Sequence, residues 1–302
     1  MARQLKIVGI LICIVLLQSC GSKNSIQYDT PQQGTIHISV DESFEPVINE
    51  QLKVYKSTFP KSNIIVDYKA EAACLRDLQQ DSTRLIIVAR GLNKQEQDYY
   101  KTKLSFEAQF KDVAYDAVAM IINADAKDSV FSLQKIHDML AGKDSSLKVV
   151  VDGNNATSTV RYLMDSVLHG TAFGKNVTAG QGSKAVINFI ANNPGAIGFV
   201  GSSWVTNMDD PEQVEASKKI KLALVECPRC DKGTYAKPSQ ETIAYHQYPF
   251  VRPLFYILKE NTTGLGTGFT NFMSLERGQL IFRRSYLVPS QMYFGIRTTL
   301  IK

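Results

Sequence analysis

The chain has 302 residues, 44% of them hydrophobic and 21% charged, with a formal net charge of +5. That composition is globular and is enough for one large domain or two small ones. The positive charge is spread out, with no run of five or more Lys/Arg. The concentrated basic stripe of a nucleic-acid binder is therefore missing, and nucleic acid is not expected as a partner.

Arg3 and Lys6 precede an eleven-residue apolar stretch, Ile7 to Leu17. This is too short to cross about 30 Å of hydrocarbon as a helix but fits the apolar core of a signal peptide. It ends in Leu17-Gln18-Ser19-Cys20-Gly21, which resembles the bacterial lipobox. The resemblance implies a signal peptide over 1–19 and lipidation of Cys20. Acyl chains contribute roughly 0.8 kcal/mol per buried CH₂, and two or more give stable anchoring. Residues 20–33, rich in Ser, Asn, Gln and Gly, read as a flexible tether. The expected location is the cell envelope, held to a membrane by lipid and facing the periplasm or exterior. No later window has 18 consecutive apolar residues.

Strands and helices then alternate. Residues 35–40 (TIHISV) are β-branched and alternating. Asp41-Glu42-Ser43 offers capping chemistry for a helix from about Pro46 to Tyr55. Further strands are expected at 63–68, 85–89, 113–123, 147–151, 195–200, 220–225 and 253–258. Helices are expected near 74–80 and at 132–141, 159–169, 183–192 and 268–283. The uninterrupted apolar run at 85–89 (LIIVA) suits a parallel strand buried on both faces. The pattern predicts an open α/β fold, and the length favours two lobes.

Anion chemistry concentrates at one place. Thr157, Ser158 and Thr159 stand where a strand gives way to a helix, where free N–H groups and the helix dipole favour an anion. One hydroxyl suffices for a cap; the others are candidate contacts to a bound oxyanion. Arg161 lies one turn in, and its side chain leans back toward the helix start. A plain capping role with a solvated Arg is the competing account. Ser43 opens a helix at a strand's carboxyl end, and Arg90 follows the run LIIVA; open α/β folds bind ligands at such ends. The glycine-rich Gly264-Leu265-Gly266-Thr267-Gly268 lacks the acidic residue of a nucleotide cradle and reads as a loop.

Enzyme signatures are absent: there is no G-x-S-x-G, H-E-x-x-H or Walker A motif, and the four histidines are isolated. No catalytic residue and no cofactor is assigned. Of the cysteines beyond the lipobox, Cys227-Pro-Arg-Cys230 is at most half a zinc site. It is expected to be a local disulfide or two loop thiols, with redox or metal chemistry as the alternatives. No metal ligand is assigned.

Several segments, in order, resemble the phosphate-binding component of ABC importers, a type II periplasmic binding protein. Thr157-Ser158-Thr159 takes the place of that family's Ser-Gly-Thr. Asn193-Pro194-Gly195-Ala196-Ile197-Gly198-Phe199-Val200 is similar to its conserved strand. Tyr248 to Tyr256 resembles its returning crossover, and Gly278-Gln279 its last helix. Ser43 and Glu71-Ala72-Ala73 fall where the family contacts ligand from its first lobe. The resemblance implies two α/β lobes joined by crossing strands near Tyr115–Val118 and Tyr248–Leu254. Lobe 1 would be 34–116 plus 250–302, and lobe 2 would be 117–249. It implies a small, phosphate-like oxyanion held by Ser43, Glu71, Ala72, Thr157, Ser158 and Thr159, to which the residue chemistry adds Arg161 and Arg90 as candidates, and an ABC permease as partner. Three departures stand out. Arg90 occupies about the position of an Asp that accepts a proton from phosphate, the Gly-Ser loop of the first lobe has become Glu71-Ala72-Ala73, and the Arg before the hydroxyl cluster is missing, with Asp152 nearby. An Arg there suits a fully ionised or carboxylate-bearing anion. The alternative function is a scaffold with an altered ligand site, acting as an envelope interaction or sensing module.

Overall fold

The computed structural model describes residues 29–153, 157–260 and 263–292. The expected signal peptide, Cys20 and most of the expected tether lie outside the described residues. So do positions 154–156.

Strand β1 (Gly34–Asp41) pairs in parallel with β2 (Ser62–Lys69) and β3 (Thr83–Val88). Helix α1 (Glu45–Thr58) makes the first connection, with Pro46 in its first turn, where its missing N–H costs nothing. Helix α2 (Glu71–Asp77) makes the second, and α3 (Lys94–Lys103) follows β3. Strand β3 is buried at Leu85, Ile86, Ile87 and Val88, as its apolar run requires.

Strand β4 (Gln109–Asn123) is long enough to belong to both lobes. Its first part pairs antiparallel with β12 (Val251–Leu258), and Val118 to Ile122 pair antiparallel with β8 (Ala196–Gly201). Beyond β8 lie β6 (Lys148–Val151) and β7 (Val177–Ala179), both parallel. The order β2-β1-β3-β12-β4-β8-β6-β7 thus joins two parallel halves through antiparallel neighbours, with β9 (Ile220–Leu222) and β13 (Val288–Pro289) also on β4. Strands β5 (Val130–Phe131), β10 (Leu224–Glu226) and β11 (Tyr235–Ala236) form a small separate sheet.

The second lobe carries α4 (Leu133–Leu140), α5 (Ser158–Tyr162), α6 (Ser183–Ala191), α7 (Pro211–Ala216) and α8 (Gln240–Ala244). Each lobe has its own core. Ile38, Val40, Phe44, Leu85 and Phe269 pack together in one, and Met120, Phe131, Leu163, Phe199 and Tyr248 in the other.

Two expected helices differ in detail. The one expected at 159–169 runs as α5 and then loosens into a wider π-type turn over Leu163–Val167. The one expected at 268–283 is two, α9 (Leu265–Ser274) and α10 (Glu276–Arg284), broken at Leu275 with φ −95° and ψ 174°. A Cβ on Gly278 would lie 2.3 Å from the Phe272 carbonyl oxygen, so only glycine allows the second helix to turn this tightly over the first. Gln279 then donates to Met273 O at 2.7 Å, satisfying a carbonyl at the end of α9.

The glycine-rich segment, expected as a loop, is instead the N-cap and first turn of α9, and its N–H groups already hold anions of the chain's own. Glu260 accepts the N–H groups of Gly264, Gly266 and Thr267, and Asp29 accepts that of Leu265. Cys227 and Cys230 form a disulfide with Cα atoms 5.4 Å apart. Among the described residues no helix is long and apolar enough to cross a membrane.

Candidate functional site

At the carboxyl end of β1, Asp41 accepts the Ser43 N–H at 2.9 Å and caps a short turn that delivers Ser43 to the lobe interface. On the other side, Thr157 is the N-cap of α5. Its hydroxyl accepts from Val160 N at 3.2 Å and donates to Asp152 at 2.7 Å. The cap uses one hydroxyl, and Ser158 and Thr159 are carried inward. Ser43 Oγ and Ser158 Oγ meet across the lobes at 3.2 Å, and all four hydroxyl residues are buried.

Arg252 reaches this junction from β12 and is 1% exposed. Its Nη1 donates to Ser158 Oγ at 2.7 Å and Thr159 Oγ1 at 3.3 Å, while Nε and Nη2 donate to Asp116 Oδ2 at 3.2 and 2.9 Å. The guanidinium also lies over the Phe44 ring, 5.0 Å from its centre. Ser202 Oγ donates to the other oxygen of Asp116. Gly201 lets this cluster close, because a Cβ there would stand 2.8 Å from both Arg252 Nη2 and Ser43 O.

Carboxylates crowd the same place. Burial pushes Asp41 up to about 6, against the pull of Arg252 and with the push of Glu71. Asp152 is raised by burial although Thr159 and Thr157 donate to it. Burial, then Asp152 and Asp41, push Glu42 up to about 7. Arg252 stays firmly protonated: burial works against its charge, but Asp116 and Asp41 outweigh it. Asp41 Oδ2 and Asp152 Oδ2 are buried acceptors with no hydrogen-bond partner among the described residues. Such atoms suit a ligand that brings protons of its own.

The other expected residues divide. Glu71 and Arg161 are joined to each other across the lobes, with Arg161 Nη2 3.1 Å from Glu71 Oε1. Arg90 turns to Glu96 in a two-pronged pair at 2.8 and 2.7 Å, where Glu96 also closes the capping box of α3. The structure therefore does not bring Arg90 to the hydroxyl cluster. Ala72 is half-buried on α2 and offers no polar side-chain atom. The residues that sequence reasoning missed are Arg252, Asp116, Asp41 and Ser202. Among the described residues no group of three or more His, Cys, Asp or Glu is placed to hold a metal ion.

Two more contacts tie the lobes beside the cluster: Ser203 Oγ donates to Ser43 O at 2.6 Å, and Trp204 Nε1 to Glu42 O at 3.1 Å. A surface groove of about 640 Å³, lined in part by Glu45, Asn49, Lys184, Trp204 and Asp210, opens nearby. It includes none of Ser43, Ser158 or Arg252.

The family model of the PBP superfamily domain matches residues 26–276. No curated protein matches. Among solved structures, a phosphate ABC transporter substrate-binding protein from Clostridium perfringens, with bound phosphate, is similar. It has a TM-score of 0.71 at 20% identity, over 85% of this chain and 99% of that one. An ABC-type phosphate transport receptor from Vibrio cholerae gives 0.62 at 17% identity, over 85% and 100%. The sulfate-bound OxyR2 regulatory domain from Vibrio vulnificus gives 0.54 at 10% identity, over 81% and 95%. At these identities the likeness speaks for the fold. With most of its length matched by the family model and two α/β lobes joined through one sheet, the chain belongs to the PBP superfamily and has the type II periplasmic binding fold.

Proposed function

We propose that this chain is an extracytoplasmic solute-binding lipoprotein that captures a small, phosphate-like oxyanion between its lobes for an ABC-type transporter. Binding, not catalysis, is the work of the site. The observation that carries the reading is Arg252, a buried cation donating to Ser158 and Thr159 of one lobe directly opposite Ser43 of the other. A tetrahedral anion seated there would accept from the guanidinium, the hydroxyls and the start of α5. Each charge-assisted hydrogen bond contributes about 1.5–3 kcal/mol, and three or four reach micromolar affinity, about 8 kcal/mol, after ordering costs. The solved structures with phosphate in their names support the ligand class.

The buried acceptors on Asp41 and Asp152 favour an anion that still carries a proton. Hydrogen phosphate qualifies at neutral pH and sulfate does not. With Arg90 engaged by Glu96, the case for a fully ionised ligand loses its main residue. Titration calorimetry of the acyl-free protein with phosphate and sulfate tests this. Phosphate should bind in the micromolar range, sulfate more weakly, and Ser158→Ala should lose about tenfold. Unchanged affinity in Ser158→Ala places the site elsewhere. For the anchor, Cys20→Ala should release the protein from membranes or leave it unprocessed; wild-type fractionation would count against lipidation.

A second reading, a sensing or interaction module with an altered site, draws on the same crowding of Asp41, Asp116 and Asp152 around one arginine. It gains further support from the similarity to a regulatory domain. Failure of the wild-type protein to bind any oxyanion in that calorimetry would select it.

A further inference from the structure

Glu71 is 2% exposed and begins α2 in the first lobe. Its Oε1 accepts the Ala89 N–H, at the end of β3, at 2.9 Å. Arg161, on α5 of the second lobe, supplies Nε to Oε2 at 2.5 Å and Nη2 to Oε1 at 3.1 Å. Arg161 keeps 29% of its side chain in solvent, with Asp165 of the following π-type turn 3.7 Å away. A carboxylate met by a backbone N–H and a two-pronged guanidinium has its acceptors in strong use. The contact joins α2 to α5, so it exists only while the lobes are together. It lies on the same interface as the Ser43–Ser158 contact and depends on the same closure.

We propose that Glu71 and Arg161 form an interlobe latch, a built-in carboxylate–guanidinium contact that holds the cleft closed and removes Arg161 from ligand binding. The first half stands on the contact alone; the second rests on the reading of the Arg252 cluster as the ligand site. With Nε and Nη2 of Arg161 taken by Glu71, Arg252, whose Nη1 faces Ser158 and is not on Asp116, is the cation that meets the ligand. That suits a compact oxyanion with one dense charge contact and disfavours an extended dianion bridging two arginines. Glu71 would then be a positioning residue that fixes how the lobes meet.

The test uses the mature chain with Glu71→Gln, Arg161→Gln and the double variant. The amide introduced by Glu71→Gln would keep a carbonyl oxygen for Ala89 N–H, and Arg161 is partly exposed, so both single variants should fold. Small-angle scattering and the emission of Trp204, the only tryptophan, whose indole donates across the lobes, report closure. In oxyanion-free buffer each single variant should show a larger radius of gyration than wild type and altered Trp204 emission. The double should be no more open than Arg161→Gln, because that variant has already removed both the contact to Glu71 and the one from Arg161 Nη2 to Ala89 O at 3.5 Å. In phosphate, each single variant should bind about tenfold more weakly. Scattering and emission equal to wild type, or a double variant clearly more open than Arg161→Gln, would overturn the latch. The oxyanion-free measurements decide this even if wild-type protein binds no phosphate, so the two readings can fail separately.

Discussion

Arg252 and Asp116 are register partners on β12 and β4, with Nη2 2.9 Å from Oδ2 and neither side chain more than 1% exposed. The strands that carry them are neighbours at the middle of the sheet that joins the two halves. The ladder therefore fixes the depth of the guanidinium, Asp116 takes up Nε and Nη2, and Nη1 is left to face Ser158. A lysine would supply charge without this planar fork.

Arg252→Met should lower stability by about 3–5 kcal/mol, because it leaves Asp116 buried beside Ser202 without its cation. Adding Asp116→Asn should recover most of that loss while oxyanion binding stays absent. Urea unfolding of the two variants reads the difference. A single variant as stable as the double would mean that Asp116 does not depend on Arg252 for its burial.

Gly201→Ala should separate closure from folding. The added methyl would stand 2.8 Å from the Ser43 carbonyl oxygen, which belongs to the opposite lobe, and 2.8 Å from Arg252 Nη2. Backbone cannot yield as a side-chain tip can, and overpacking of this kind costs about 1–3 kcal/mol. The lobes can relieve it by staying apart. Ligand affinity should therefore fall by about tenfold or more with little change in the unfolding midpoint. A large drop in the midpoint at unchanged affinity would show that the strain is absorbed within one lobe.

The fold was legible because its signals are local. Alternation in β1, the buried run of β3, and hydroxyls at the start of α5 each declare themselves within a few residues. The charged heart of the site was not. Arg252 is the one charge of β12 and Asp116 the last charge of β4, at the head of its apolar part, a pattern that hints at a buried pair but does not say with what. Their match depends on the register of β4 against β12, which is set by contacts 136 positions apart. Arg90 misled for the complementary reason. It stands at a strand's carboxyl end as a ligand residue would, yet Glu96, six positions on, satisfies it locally. The break at Leu275 was hidden because the close approach at Gly278 leaves no mark in periodicity.

The cleft carboxyls give stability an unusual pH dependence. Burial raises Asp41 to about 6 and Glu42 to about 7, above the ordinary carboxyl values of an unfolded chain. The folded protein thus keeps these protons when the unfolded chain has lost them. Their contribution is complete below about pH 4 and declines as the pH rises toward 6–7. Asp29, Asp77 and Glu96 act in the opposite direction: Arg84, Lys69 and Arg90 donate to them, their values are lowered, and their contribution is lost on acidification. Asp41→Asn isolates the first effect, since the amide oxygen can still accept from Ser43 N. At about pH 7–8 the variant should be more stable than wild type by on the order of 2 kcal/mol, and near pH 4 the two should converge. Urea midpoints measured from about pH 4 to 8 check this. A difference of the same size at every pH would mean that Asp41 does not titrate in this window and that its burial is compensated by some other contact.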